Sequence, residues 1–305
     1  MENPSWVSGE ALWEWRRVAC QQVSACAVNP QEAGAYLREL DWMLMAVAEV
    51  DRLALRLESY RNRPAINVER SLADLSTLWQ RRLQEKVPLQ YLLGRTTWRD
   101  FTLAVAPGVL IPRPETELLV DLAIAAAATM AVEPSHWADL GTGSGAIALA
   151  LARSFPQAIV HAVDASASAL TIAKQNAEQL GLADRVLFYR GSWLEPLESL
   201  QGKLTGIASN PPYIPSALVP ALQPEVARHE PHLALDGGTD GLEFLRVIAE
   251  RAPQFLQSGG VLLLEMMAGQ AEAVADILKQ SGCYCNIQIH CDLAGIQRFA
   301  EAYRI

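Results

Sequence analysis

The chain has 305 residues, half of them apolar and 19% charged, with a net charge of −9. That length suits two domains, and that balance suits a well-packed globular protein. It speaks against a non-specific nucleic-acid clamp, which would be basic: residues 1–88 carry 11 basic and 12 acidic side chains, the remainder 14 and 22, so the acidic excess lies in the second part. The five cysteines (20, 26, 283, 285 and 291) form no Cys-x-x-Cys pair, which points to a reducing compartment without disulfides or zinc. No signal pattern opens the chain, because Glu2 and Glu10 precede any apolar run. The most apolar stretch, Leu118 to Val132, contains Asp121 and is too short to span a membrane.

Residues 5 to 86 read as helical throughout, in four or five short helices. Leu37, Leu40, Leu44, Val47 and Ala48 recur at helical spacing. Pro30 and the run Asn62 to Pro64 mark breaks, and Ser71 with Asp74 fits a helix cap. Trp6, Trp13, Trp15, Trp42 and Trp79 serve either a core or a partner-binding face. A linker over 87–114 follows. Thr97-Trp98 and Phe101 to Val105 read as a hairpin around Arg99-Asp100, and Pro107-Gly108 is a turn signal. Pro112 and Pro114 flank Arg113, which makes either a rigid linker or a fixed loop beside a helix opening at Pro114-Glu115.

Trp137 to Leu140 reads as a strand. Gly141-Thr142-Gly143-Ser144-Gly145 then makes a tight turn, and a helix begins. Glycines let the backbone turn sharply and approach a ligand closely. A second strand, Ile159 to Val163, ends at Asp164, 19 residues after Gly145. A carboxylate at that place accepts hydrogen bonds from ribose hydroxyls. A pyrophosphate seat wants Gly-x-Gly-x-x-Gly, whereas this chain has Gly-x-Gly-x-Gly preceded by Asp139. The pattern suits a ligand with a ribose and no phosphate, such as S-adenosylmethionine. Strands follow at Val186–Arg190, Leu204–Ser209 and Gly260–Met266, with helices between them and two final strands over 283–291 and 298–304. The alternation predicts a doubly wound sheet. Trp193 stands either under an adenine ring or in the core.

The fourth strand runs into Asn210-Pro211-Pro212-Tyr213. Proline ends a ladder and biases its predecessor away from helix, so a carboxamide is fixed at a strand's carboxyl end. The Asn210 side-chain oxygen and the Pro211 carbonyl can accept two hydrogen bonds from one planar NH₂ group, while Tyr213 offers a flat surface. The substrate is then a primary amide or an exocyclic amine. His229 and His232 bracket Glu230-Pro231 without further ligands around them, and no metal is expected.

Taken together, these motifs resemble the peptide chain release factor glutamine methyltransferases (the PrmC/HemK family), a group of class I S-adenosylmethionine-dependent methyltransferases. The resemblance rests on Gln90 to Gly94, Pro107 to Glu117, Asp139 to Gly145, Asn210 to Tyr213, Glu230-Pro231 and Leu235 to Gly238. It implies an α/β, Rossmann-like methyltransferase sheet over 115–305. It also implies a small all-helical substrate-recognition domain over 1–86 and a hairpin linker over 87–114. S-adenosyl-L-methionine contacts are implied at Gly141, Thr142, Gly143, Ser144, Gly145, Asp164, Trp193 and Asn210. Substrate contacts are implied at Asn210, Pro211, Pro212 and Tyr213, with Asn210, Pro211 and Tyr213 catalytic. The implied reaction methylates the glutamine of the Gly-Gly-Gln motif in class 1 release factors, in the cytoplasm. A monomer is expected, with no direct nucleic-acid or membrane contact. Ser192 departs from the acid many relatives carry there, and Met266-Met267 from a small or polar pair. Two other readings compete. One is an adenine or guanine amino methyltransferase acting on nucleic acid; the other is a non-catalytic binding module.

Overall fold

The computed structural model describes residues 5–130 and 135–305. It divides into two compact units that part between Leu93 and Gly94. Among the described residues no helix is long and apolar enough to cross a membrane.

The first unit comprises β1 (Ser5–Val7), α1 (Gly9–Cys26), α2 (Pro30–Val47), α3 (Arg52–Leu57), β2 (Ile66–Val68), α4 (Leu72–Gln84) and α5 (Leu89–Leu93). Its helix starts are written locally. Ser8 accepts from Ala11 N, Asn29 from Glu32 N and Asp51 from Ala54 N, each satisfying an otherwise orphaned donor. Ser71 and Asp74 form a reciprocal capping box. Leu12, Leu40, Met43, Leu44, Leu75 and Trp79 fill the core. The expectation of helix throughout is corrected at two places: β1 and β2 pair antiparallel, Ser5 opposite Val68 and Val7 opposite Ile66. Ile66-Asn67-Val68 alternates buried and half-buried side chains, and the cap at Ser71 restarts the helix. The tryptophans divide. Trp79 is fully buried, Trp13, Trp15 and Trp42 are half-buried, and Trp6 is 65% exposed.

The second unit opens with the hairpin β3 (Arg95–Trp98) and β4 (Phe101–Ala104). There follow α6 (Glu117–Thr129), β5 (His136–Leu140), α7 (Ala146–Ser154), β6 (Ile159–Asp164), α8 (Ala167–Gln179), β7 (Val186–Arg190) and β8 (Leu204–Ser209). The chain then makes α9 (Pro224–His229), α10 (Glu243–Phe255), β9 (Leu256–Glu265), α11 (Ala271–Gln280), β10 (Tyr284–Cys291) and β11 (Gln297–Arg304). Of the apolar stretch Leu118 to Val132, residues 131 and 132 lie outside the described residues.

Seven strands form one sheet in the order β10-β11-β9-β8-β5-β6-β7. The five from β9 to β7 run parallel, and β11 pairs antiparallel to both β9 and β10. Alternate side chains feed two cores. Trp137, Val160, Ala208 and Leu263 pack with α6 and α7 on one face. Ala138, Val163, Ile207 and Leu264 pack with α10 and α11 on the other, which makes the sheet doubly wound. Gly206 sits in a central strand because Trp137 covers it: a Cβ there would lie 2.3 Å from the indole ring.

The strand order reverses beside β5. Its chain neighbour β6 lies on one side and β8 on the other. The turns leaving the carboxyl ends of β5 and β8 therefore diverge, opening a cleft where doubly wound sheets bind ligands.

Candidate active site

The glycine turn forms one side of this cleft. Gly141 and Thr142 both donate their N–H to Val163 O (2.9 and 3.0 Å), so the turn is tied across the end of β6. Gly145 has φ +85°, and a Cβ on it would come within 3.1 Å of the Ala173 Cβ; only glycine fits both demands. Beneath the turn Asp139 is fully buried. Its Oδ2 accepts from Thr142 Oγ1 (2.5 Å) and Ala148 N (3.0 Å), stapling turn to helix. Burial pushes the Asp139 carboxyl up to about 7, against the pull of those two hydrogen bonds.

Asp164 stands in the cleft wall. One oxygen accepts from Gly143 N and the other from Ser166 N, both at 2.8 Å. A carboxylate has about four acceptor positions, so the two backbone bonds leave room on each oxygen for further donors. Burial raises its pKa, and the two N–H groups oppose the rise.

Trp193 is half-buried. It packs on the second core and tilts at 44° against Phe244, with ring centroids 5.2 Å apart, while also lining the cleft. Its φ of +51° is a conformation that bulky residues rarely hold.

On the far side Ser209 Oγ donates to Leu140 O (2.6 Å), joining the ends of β8 and β5. Asn210 follows and donates its Nδ2 to Thr116 Oγ1 (3.1 Å). Tyr213 turns its hydroxyl away to Glu265 Oε1 (3.1 Å) at the end of β9. The chain beyond is braced by a bridge between Ile214 and Asp236 and by Gln270 Nε2, which donates to Tyr213 O (3.0 Å).

Most of the predicted site residues line one cleft. Gly141, Thr142, Gly143, Ser144, Asp164, Trp193, Asn210 and Pro212 line it, whereas Gly145, Pro211 and Tyr213 are not among its wall residues. Gly145 closes the turn onto α7, and Pro211 is buried.

Three residues escaped the sequence reading of roles. Thr116 lines the cleft and donates to Glu265 Oε2 (2.7 Å). Glu265 is 1% exposed, and burial pushes its carboxyl up to about 7 against the hydrogen bonds from Thr116 and Tyr213 and the charge of Arg298. Glu230 is buried and pairs with Arg113 Nη2 (2.8 Å), so the guanidinium is held at the cleft wall rather than left in a linker. Trp98 Nε1 fixes the same loop by donating to Arg113 O (2.8 Å). One signal was available: Glu265 is the only acid in the otherwise apolar run Gly260 to Met266. An acid in a buried strand needs partners.

The strand order, the glycine turn leaving the central strand and the acid ending its neighbour define a class I, Rossmann-like methyltransferase. The family model described as Methyltransferase small domain matches residues 117–223. The chain is 50% identical over 304 residues to the release factor glutamine methyltransferase of Synechocystis sp., covering 98% of each protein. It is 48% identical over 296 residues to that of Thermosynechococcus vestitus, covering 97% of this chain and 99% of the relative. A similar solved structure is the protein-(glutamine-N5) methyltransferase (release factor-specific) of Alicyclobacillus acidocaldarius. It is 30% identical, with a TM-score of 0.41, over 66% of this chain and 99% of that one. The chain belongs to the release factor glutamine methyltransferase family.

Proposed function

We propose that the protein transfers a methyl group from S-adenosyl-L-methionine to the side-chain amide nitrogen of the glutamine in the Gly-Gly-Gln motif of class 1 release factors. The observation that carries this reading is the placement of Asn210. Its carboxamide sits at the carboxyl end of β8, in the wall of the cleft that the glycine turn and Asp164 also line. The family's substrate supports it, and the nucleic-acid alternative has no comparable support.

The residues present fit the cofactor. Asp164 keeps acceptor capacity for a ribose diol, Trp193 offers an indole in the same cleft wall, and at Gly141 and Gly143 no side chain covers the backbone. When bound, S-adenosyl-L-methionine supplies an electrophilic methyl group: its C–S bond breaks as the N–C bond forms, the electron pair stays on sulfur, and S-adenosyl-L-homocysteine is left.

The rest is the work of this chain. An amide nitrogen is a poor nucleophile because its lone pair is delocalised into its carbonyl. Asn210 Oδ1 and the Pro211 carbonyl accept the two hydrogens of the glutamine NH₂ and fix the nitrogen's direction. Orientation of this kind supplies several kcal/mol of a barrier. The same acceptors stabilise positive charge as it develops on nitrogen, and the methylated, protonated amide is acidic enough to release its extra proton to solvent without a strong base. The Tyr213 ring, its hydroxyl pinned to Glu265, stiffens the loop that carries both.

Residues 1–86 are assigned to recognition of the release factor and 87–114 to a hairpin linker, with the reaction taking place in the cytoplasm as a monomer. Incubation with methyl-labelled S-adenosyl-L-methionine and a class 1 release factor tests the reading. Label on the factor, and none when the motif glutamine is changed to alanine, is expected. Label on nucleic acid instead would refute it.

A further inference from the structure

We infer that Thr116 and Glu265 are positioning residues for Asn210, holding its carboxamide with the oxygen turned into the cleft. The inference rests on the methyl-transfer reading and goes beyond it to residues that act through Asn210.

The direction of an asparagine amide is decided by its partners. Thr116 has one hydroxyl proton, and that proton lies on the 2.7 Å bond to Glu265 Oε2. An ionised carboxylate only accepts. Thr116 Oγ1 can therefore only accept from Asn210, and the Asn210 atom facing it at 3.1 Å must be the NH₂ group. Oδ1 is left for the cleft. A flipped amide would set two oxygens against each other with no proton between them.

The second oxygen of Glu265 takes the Tyr213 hydroxyl. Both ends of the Asn210 to Tyr213 loop are thus referred to one buried carboxylate. The two ends of the Thr116–Glu265 bond lie 149 residues apart in the chain, so it is a product of the fold and not of local geometry.

The chain of bonds has a polarity that protonation reverses. A neutral Glu265 offers a proton of its own to Thr116 Oγ1. Thr116 can then donate to Asn210, which favours the flipped amide with NH₂ in the cleft. The ionisable groups facing Glu265 are Glu115 beside Thr116, Tyr213 in the loop and Arg298 on β11. Burial outweighs Arg298 and leaves Glu265 titrating at about 7, so kcat falls as pH falls through that region.

The test is a pair of substitutions. Thr116→Val removes the hydroxyl and keeps the shape; kcat is expected to fall roughly 10- to 100-fold, the scale on which small misplacement acts. The Kd for S-adenosyl-L-methionine rises far less than kcat falls, since Asp164 and the glycine turn are untouched. The acidic limb of the kcat profile shrinks in the same variant, because Glu265 no longer reaches Asn210 and keeps only its bond from Tyr213. Thr116→Ser restores both kcat and the limb. Thermal melting and cofactor binding establish that each variant is folded. Wild-type kcat in Thr116→Val, or an unchanged acidic limb, overturns the inference while leaving methyl transfer standing. Absence of transfer by the wild type in the same assay removes the methyl-transfer reading and the inference with it.

Discussion

Replacing Asp164 by asparagine keeps the shape of the side chain and removes its charge. In the fold each Asp164 oxygen accepts one backbone N–H, from Gly143 and from Ser166, both at 2.8 Å. An amide has one oxygen and one NH₂ group, so one of those N–H groups would face a donor and the glycine turn would lose a tie. The cofactor's ribose would also lose bonds to a charged acceptor. A hydrogen bond to a charged group contributes about 1.5–3 kcal/mol. Losing one such bond raises Kd roughly 10- to 100-fold at 1.4 kcal/mol per factor of ten. Titration calorimetry of S-adenosyl-L-methionine against Asp164→Asn reads this directly, with the melting temperature as a check on folding. A Kd within about threefold of wild type, in a folded variant, would show that Asp164 does not hold the ribose.

Asn210→Ala is expected to leave cofactor binding nearly intact and to lower kcat at least about 100-fold, the loss typical of a removed transition-state partner; single-turnover kinetics checks it. Gly206→Ala places a Cβ 2.3 Å from the Trp137 ring in a central strand. It should destabilise the second unit by about 1–3 kcal/mol, read as a lower urea midpoint. Asp139 and Glu265 give a signed pH dependence. Both titrate at about 7 when folded, above their ordinary values of 3.8 and 4.5. A carboxyl with a raised folded pKa favours folding below its unfolded pKa and loses that contribution as pH rises through the folded one. Asp139→Asn, which carries no such proton, should therefore gain stability relative to wild type between about pH 4 and 7. Denaturant melts across that range decide it, and a difference that stays flat or runs the other way refutes the assignment.

The parts of the site that were legible in the sequence are those written in consecutive residues. The glycine turn, Asp164 at the end of β6 and the proline-stopped strand before Asn210 each carry a local backbone requirement. What escaped was tertiary. Thr116 and Glu265 are joined only because β9 and the opening of α6 are brought together by the sheet. Helix α6 itself starts at Glu117 and not at Pro114-Glu115. Residues 113–119 make i to i+3 bonds, as in Glu117 N to Pro114 O, and Thr116 spends its hydroxyl on Glu265 rather than on a cap. The two final strands were visible in the sequence. That β11 inserts between β9 and β10 was not, because order in a sheet is set by packing across it. Strands β1 and β2 have three residues each, too few to show a period against a helical background.

The central claim is methyl transfer to one glutamine nitrogen. Fragment mass spectrometry of a class 1 release factor, after incubation with the protein and S-adenosyl-L-methionine, tests it most directly. The expected result is one added methyl on the glutamine of the Gly-Gly-Gln motif, absent when Asn210→Ala replaces the wild type. A methyl on another residue, or an unmodified factor with the cofactor demonstrably bound, would contradict it.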